Sequence, residues 1–274
     1  MPTTVTLMSE KQSAPAVIQT SEVSLERDGH TILDSVSLTI SQGERWVILG
    51  ANGCGKTSLL RILSLYLHPS RGNIFINGHA LGTFDIRQVR HRLAYMSASL
   101  ATDLRPDLTA RDVVMTARYG ALETWWNDYT DADRSRAHRC LEQMGVDQFA
   151  HRAIGSLSSG EQQRILLARV LMCDPIAILL DEPSARLDLG GREQLVHLLG
   201  TFAFDNPDLP SVLVTHHVDE IPTSTTHCAL LREGRLLTSG PLLDTLTSDA
   251  LSECFAVPLV VEQRANGRLS AYAP

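Results

Sequence analysis

Residues 50–57 read GANGCGKT and fit the pattern G-x-x-x-x-G-K-[ST]. No other stretch restricts the fold as much. The glycines let the backbone curl until successive N–H groups face one point, a geometry that suits phosphate oxygens. The loop needs a strand before it and a helix after it, because the helix dipole adds positive potential at the same point. Both are present. RWVILG (45–50) reads as a buried strand, and SLLRILSLYL (58–67) as a helix stopped by His68-Pro69. A Gly-rich turn can match the pattern by chance, and the flanking elements set this one apart. In such a loop Gly50, Ala51, Asn52, Gly53, Cys54, Gly55, Lys56, Thr57 and Ser58 would surround the phosphates of ATP. Lys56 would reach the β- and γ-phosphates, and Thr57 would hold Mg²⁺.

A partner for that loop lies downstream. IAILLDEP (176–183) is an apolar strand ending in two carboxylates, Asp181 and Glu182. In open α/β sheets ligands bind at the carboxyl ends of strands. Asp181 is expected to hold the Mg²⁺ shell through water, and Glu182 to polarise an attacking water as general base. A third apolar strand, SVLVTH (211–216), ends in His216, which suits contact with a γ-phosphate. His217 reads as an ordinary loop histidine.

The remaining segments suggest an organisation. VSLER (23–27) and TILDSVSLTI (31–40) flank Asp28-Gly29-His30, a hairpin signal. Val36, Leu38 and Ile40 alternate with Ser35, Ser37 and Thr39, the period of a strand with one buried face. NIFING (73–78) is a further strand. From about 100 to 170 the pattern becomes helical, with candidates TARDVVMTARYG, DADRSRAHRCLEQMG and EQQRILLARVLM. GREQLVHLLGTF is a helix between two apolar strands, and alternation of this kind argues for a parallel sheet. The fold class expected is α/β: a P-loop NTPase core with a parallel sheet and an inserted α-helical subdomain at about 98–170. Residues 1–16 read as a disordered tail. Residues 246–274 read as a C-terminal extension in which Asn266-Gly267 turns a hairpin.

Composition removes some functions. The formal net charge is −7, which argues against nucleic acid as a partner. Five cysteines without CxxC spacing fit a reduced, cytoplasmic chain. The N-terminus lacks the basic start and apolar core of a signal peptide. No apolar run approaches the ~18 residues that span a bilayer, so membrane work would need another chain.

Together these pieces resemble the ATP-binding cassette (ABC) ATPases over about 17–245. The resemblance rests on GANGCGKT, on LSSGE (157–161) where much of the family has LSGGQ, on ILLDEP, on SARLD (184–188) as D-loop, and on His216 as switch histidine. It implies an antiparallel β subdomain beside the nucleotide-binding core and the α-helical subdomain, and a head-to-tail dimer, with a second copy of this chain or another cassette, holding two ATP molecules at the interface. Ser158 and Gly160 would then serve the ATP of the partner subunit. It further implies transmembrane permease subunits as partners and a place on the cytoplasmic face of the membrane.

Two departures from the family matter. Many cassettes stack an aromatic ring on adenine, and here that place falls near Arg27, whose planar guanidinium can stack on a base. An exposed strand-end arginine is the competing reading. Members usually carry a Gln after a strand such as RLAYM. Here LAYMSASL offers Ser97, expected to act through a bridging water and to alter coupling rather than abolish hydrolysis. VSLERDG, SARLD and VTHHVDEIP look like a stand-alone subgroup often grouped with metal-complex or molybdate transport cassettes.

Other features carry less. Trp125-Trp126 in ETWWNDY offer either a partner-facing ring or ordinary packing. Cys54 is either a thiol acidified at a helix N-terminus or a small filler. Met96, Met115 and Met144 read as core. A transport ATPase is the leading function, and a soluble cassette ATPase driving an assembly process stays open beside it. A DNA-repair cassette would need a long coiled coil before the signature. A translation cassette normally joins two units in one chain, and a P-loop kinase would leave LSSGE and SARLD without a role.

Overall fold

The structure is a computed structural model and describes residues 14–97, 100, 104–122, 124 and 128–274. Most of the tail expected over 1–16, and the pair Trp125-Trp126, lie outside the described residues.

The chain opens with β1 (Ala16–Arg27) and β2 (His30–Ser41), followed by β3 (Arg45–Leu49) and α1 (Lys56–Leu63). Next come β4 (Arg71–Ile76), β5 (His79–Ala80), α2 (Ile86–Arg90) and β6 (Leu93–Ser97). The helical stretch holds α3 (Ala110–Thr116), α4 (Asp131–Gln143) and α5 (Ser159–Leu171). Then follow β7 (Ala177–Asp181), α6 (Leu189–Asp205), β8 (Ser211–Val214), β9 (His227–Arg232) and β10 (Arg235–Pro241). The chain closes with α7 (Leu242–Thr245), α8 (Ser248–Phe255), β11 (Val260–Gln263) and β12 (Leu269–Tyr272).

A six-stranded sheet runs β10-β9-β3-β8-β7-β6. All its neighbours pair in parallel except β9 with β10. Its inner strands are buried along their length, which is why β7 reads AILLD without alternation. A second sheet, β2-β1-β4-β5, is antiparallel. There Leu33, Val36, Leu38 and Ile40 are buried while Ser37 and Thr39 face out, as the alternation of β2 requires.

Three apolar layers hold these parts together. One joins β1, β2 and α1 to one face of the parallel sheet, through Ile18, Leu38, Leu59, Ile62 and Leu179 among others. A second joins α3, α4 and α5 to that sheet through Val113, Leu141, Ile165, Leu166 and Leu180, and includes Met96, Met115 and Met144. The third places Leu251, Cys254 and Leu269 against Val47 and Leu49 of β3. The C-terminal segment therefore packs on the strand that precedes GANGCGKT, with β11 and β12 paired as a hairpin.

One element is shorter than its sequence pattern. The helix expected to run to residue 67 ends at Leu63. The Ser64 hydroxyl donates to the Arg61 carbonyl, and Leu65 adopts φ +59°, so the backbone reverses before Pro69 is reached.

Candidate nucleotide site

Strand register gathers the site. Ile48 pairs with Val214, Val214 with Asp181, and Asp181 with Ser97. The segments that follow β3, β7 and β8 therefore leave one edge of the sheet at the same level. Neighbouring backbone bonds extend this, with Glu182 N–H donating to Val214 O and Thr215 N–H to Ile48 O.

The loop 50–57 is built on two tight positions. A Cβ at Gly50 would lie 2.2 Å from the Leu231 carbonyl oxygen and 2.7 Å from Cys54 Sγ, so no other residue fits without moving β9. Gly55 caps α1 with φ +106°, and a Cβ there would meet Ile32 O at 2.9 Å and Leu33 Cδ2 at 2.8 Å. The loop is thus pinned between β9 and the β1–β2 hairpin, while Asn52, Gly53 and Thr57 are exposed and Ser58 is half-buried. Cys54 is buried, and burial pushes its thiol up, with the Lys56 charge opposing. That environment fits a filler rather than a reactive thiol.

Lys56 is 5% exposed, and its Nζ donates to Gly50 O (2.7 Å) and Ala51 O (3.0 Å). Its charge is met by two neutral loop carbonyls, which leaves the ammonium suited to an anion. Thr57 Oγ1 donates to Asp181 Oδ1 at 3.1 Å, joining loop to strand end. Asp181 Oδ2 accepts from the Tyr95 hydroxyl at 3.2 Å. Burial pushes the Asp181 carboxyl above its ordinary value; the Thr57 and Tyr95 hydrogen bonds oppose this and the Glu182 charge adds to it.

Glu182 has left-handed backbone, φ +48°, an unusual conformation for a non-glycine and frequent at functional turns. Its Oε1 lies 3.1 Å from His216 Nδ1, so the Nδ1–H tautomer donates to the carboxylate. The His217 ring lies tilted against His216, with centroids 4.0 Å apart, and burial followed by the His216 charge lowers its pKa. Behind them Thr215 donates to Glu220 Oε2 at 2.5 Å and accepts from the His217 N–H. Glu220 is buried and pairs with Arg192 of α6. Asp188, the last residue of SARLD, caps α6 by accepting from Gly191 N–H at 2.7 Å.

Three expected residues stand apart from this cluster. Arg27 is exposed at the β1–β2 tip, with Asp28 its ion-pair partner at 3.9 Å. Ser158 caps α5, and its bonds go to Glu161: Oε2 accepts from Ser158 N–H (2.7 Å) and Oγ (2.8 Å). Gly160 lies in the first turn of α5, and a Cβ there would meet nothing within 4 Å. Two residues went unnoticed in the sequence. Tyr95 looks like one more apolar strand residue, and Glu220 like one more acidic loop residue. For Tyr95 the only signal was a hydroxyl two residues before Ser97. Ser97 ends β6 level with Asp181, its neighbour across the sheet.

A glycine-rich loop between a strand and a helix, a buried lysine held by two loop carbonyls, a Thr–Asp pair and a Glu–His pair on one sheet edge define a P-loop nucleotide hydrolase. Residues 33–185, more than half the chain, match the ABC transporter family model. The chain belongs to that family and is an ATPase of it. It is 34% identical over 247 residues to YlmA, an uncharacterized ABC transporter ATP-binding protein of Bacillus subtilis (strain 168), covering 89% of this chain and 93% of the relative. It is 33% identical to the hemin import ATP-binding protein HmuV of Bordetella bronchiseptica (strain ATCC BAA-588 / NCTC 13252 / RB50), covering 88% and 92%. The dimeric structure of MJ0796, a bacterial ABC transporter cassette, superposes with TM-score 0.70 at 25% identity, covering 82% of this chain and 98% of that one. Among the described residues no helix is long and apolar enough to cross a membrane.

Proposed function

We propose that this chain powers transport through a separate transmembrane permease, as a head-to-tail dimer with another cassette that closes on two ATP molecules. One observation carries the dimer reading. Thr57, Asp181, Glu182 and His216 share one sheet edge, whereas Ser158 bonds within its own helix start and the space over Gly160 is open. A glycine that its own fold does not demand suits close approach by a second subunit. The relative named for hemin import supports the transport reading, and a cassette of this kind works on the cytoplasmic face of the membrane.

In this reading the site residues take the following roles. Gly50–Ser58 backbone donors and Lys56 bind the phosphates, with Lys56 exchanging two carbonyls for phosphate oxygens. Among the described residues no group of three or more His, Cys, Asp or Glu gathers as a metal cage. Thr57 and Asp181 alone suit Mg²⁺, which binds proteins through one or two side chains plus substrate phosphates. When bound, that ion would neutralise charge on the β- and γ-phosphates. Glu182 accepts the proton of the attacking water, and His216 orients the Glu182 carboxylate while facing the γ-phosphate. Ser158 and Gly160 donate to the γ-phosphate held by the other subunit, and its loss opens the dimer. Arg27 stacks on the adenine.

The test is Glu182→Gln. ATP binding is expected to persist while phosphate release falls by at least about a hundredfold, and light scattering should show a dimer only with ATP. Normal hydrolysis by this variant overturns the general-base role. The permease is tested by reconstituting the chain with the membrane protein that co-purifies with it. Stimulated ATP turnover is expected, and full activity confined to the soluble fraction would favour the assembly role instead.

A further inference from the structure

Tyr95 lies two residues before the end of β6, beside β7. Its hydroxyl donates to Asp181 Oδ2 while Thr57 donates to Oδ1, so each oxygen of the carboxylate has its own neutral donor. Asp181 is 5% exposed, and its orientation rests on these two hydroxyls. The phenol is itself held. Its ring packs against Tyr66, with centroids 5.4 Å apart, and the Arg90 guanidinium lies 5.0 Å from the Tyr66 ring on the surface side. The phenol's own hydrogen bond goes to Asp181.

We propose that Tyr95 is a positioning residue for the metal carboxylate: it fixes Asp181 in the orientation in which Asp181 and Thr57 together receive Mg²⁺. The inference rests on the nucleotide reading given above. Outer partners that orient a metal-binding carboxylate typically matter about ten- to a hundredfold in metal affinity. A carboxylate oxygen accepts more than one hydrogen bond, so the Tyr95 bond leaves Oδ2 able to accept from a metal-bound water. The alternative is a placeholder: the phenol merely satisfies a buried acid until nucleotide arrives. The two roles have opposite consequences. Removing a placeholder frees Asp181 and tightens Mg²⁺ binding, whereas removing a positioning group loosens it.

Tyr95→Phe removes the hydroxyl and keeps the ring on Tyr66. Calorimetry of ADP binding with and without Mg²⁺ reads the effect apart from turnover. Expected is an unchanged affinity in EDTA and an Mg²⁺-dependent gain reduced about ten- to a hundredfold. The Mg²⁺ concentration for half-maximal ATP hydrolysis should rise in parallel. In an Asp181→Asn background, Tyr95→Phe should add nothing, as expected of a residue acting through Asp181. Tyr66→Phe, in the same cluster but without the Asp181 bond, should leave the Mg²⁺ dependence as it is. Should Tyr95→Phe not fold, Tyr95→Met removes the hydroxyl while a flexible apolar side chain fills the space, and should shift the Mg²⁺ dependence in the same direction. Unchanged or tighter Mg²⁺ dependence in the variant that folds overturns the proposal. Absence of ADP binding to the unaltered chain would instead overturn the nucleotide reading beneath it.

Discussion

Asp181 is placed where function and stability pull apart. It is a buried acid whose partners are two hydroxyls, and burial, its largest influence, raises its pKa. A carboxyl with a raised folded pKa favours the native state while protonated. That contribution is fully present below the unfolded value and is lost as pH rises through the folded one. At neutral pH the ionised group therefore costs stability. Asp181→Asn keeps the shape, and its amide can pair with either hydroxyl. The nucleotide-free variant should be more stable by about 1 kcal/mol, a common size for gains at functional positions. Thermal melts would show the gain at pH 7 and its decline towards pH 4. Magnesium-dependent ATP hydrolysis should be lost in the same variant. A variant less stable than the parent at pH 7 would mean that the charge is compensated by more than these two hydroxyls.

At the scale of the element, two helix starts are built alike. Ser158 with Glu161 and Thr130 with Asp133 both form capping boxes, in which side chain and backbone satisfy each other across three residues. Hydrogen bonds from Ser158 hold the Glu161 carboxyl below its ordinary value of 4.5, and Thr130 does the same for Asp133 below 3.8. A depressed folded pKa gives stability that is present above the ordinary value and lost as pH falls through the folded one. Glu161→Ala should therefore cost about 0.5 kcal/mol at pH 7, the low end for a cap because solvent screens it. The difference from the parent should vanish well below pH 4, as paired melts at several pH values would reveal. The strand–loop–helix of GANGCGKT and the apolar strand before Asp181 were legible in the sequence. These are local patterns, written in consecutive residues. Contacts between strands were not legible. Tyr95 meets Asp181 because β6 lies beside β7, and the tightest approach to Gly50 comes from the Leu231 carbonyl of β9. Sheet order sets both, and a run of residues does not encode which distant strand becomes its neighbour. The early end of α1 had a local cause, the Ser64 hydroxyl, that the apolar run through Leu67 obscured.

For the whole molecule, the dimer has a sharper consequence than association alone. If each ATP lies between the loop of one subunit and the signature of the other, defects in loop and signature should complement between chains. Lys56→Ala disables the loop that binds phosphate, and Ser158→Arg fills the space from which a signature would reach it. Each variant alone should bury its defect in both sites and hydrolyse little ATP. In a mixed dimer one interface receives both defects and the other receives neither. With equal amounts and random pairing, half the dimers are mixed and each has one intact site, so about a quarter of the parent activity should return. Mixing the two purified variants and following phosphate release measures this directly. The alternative arrangement, in which Ser158 serves the ATP of its own chain, leaves every site in the mixture with a defect. Recovery indistinguishable from the two separate variants, under conditions where light scattering shows mixed dimers to form, would therefore exclude the shared site. It would also leave the open space over Gly160 without a partner subunit to fill it.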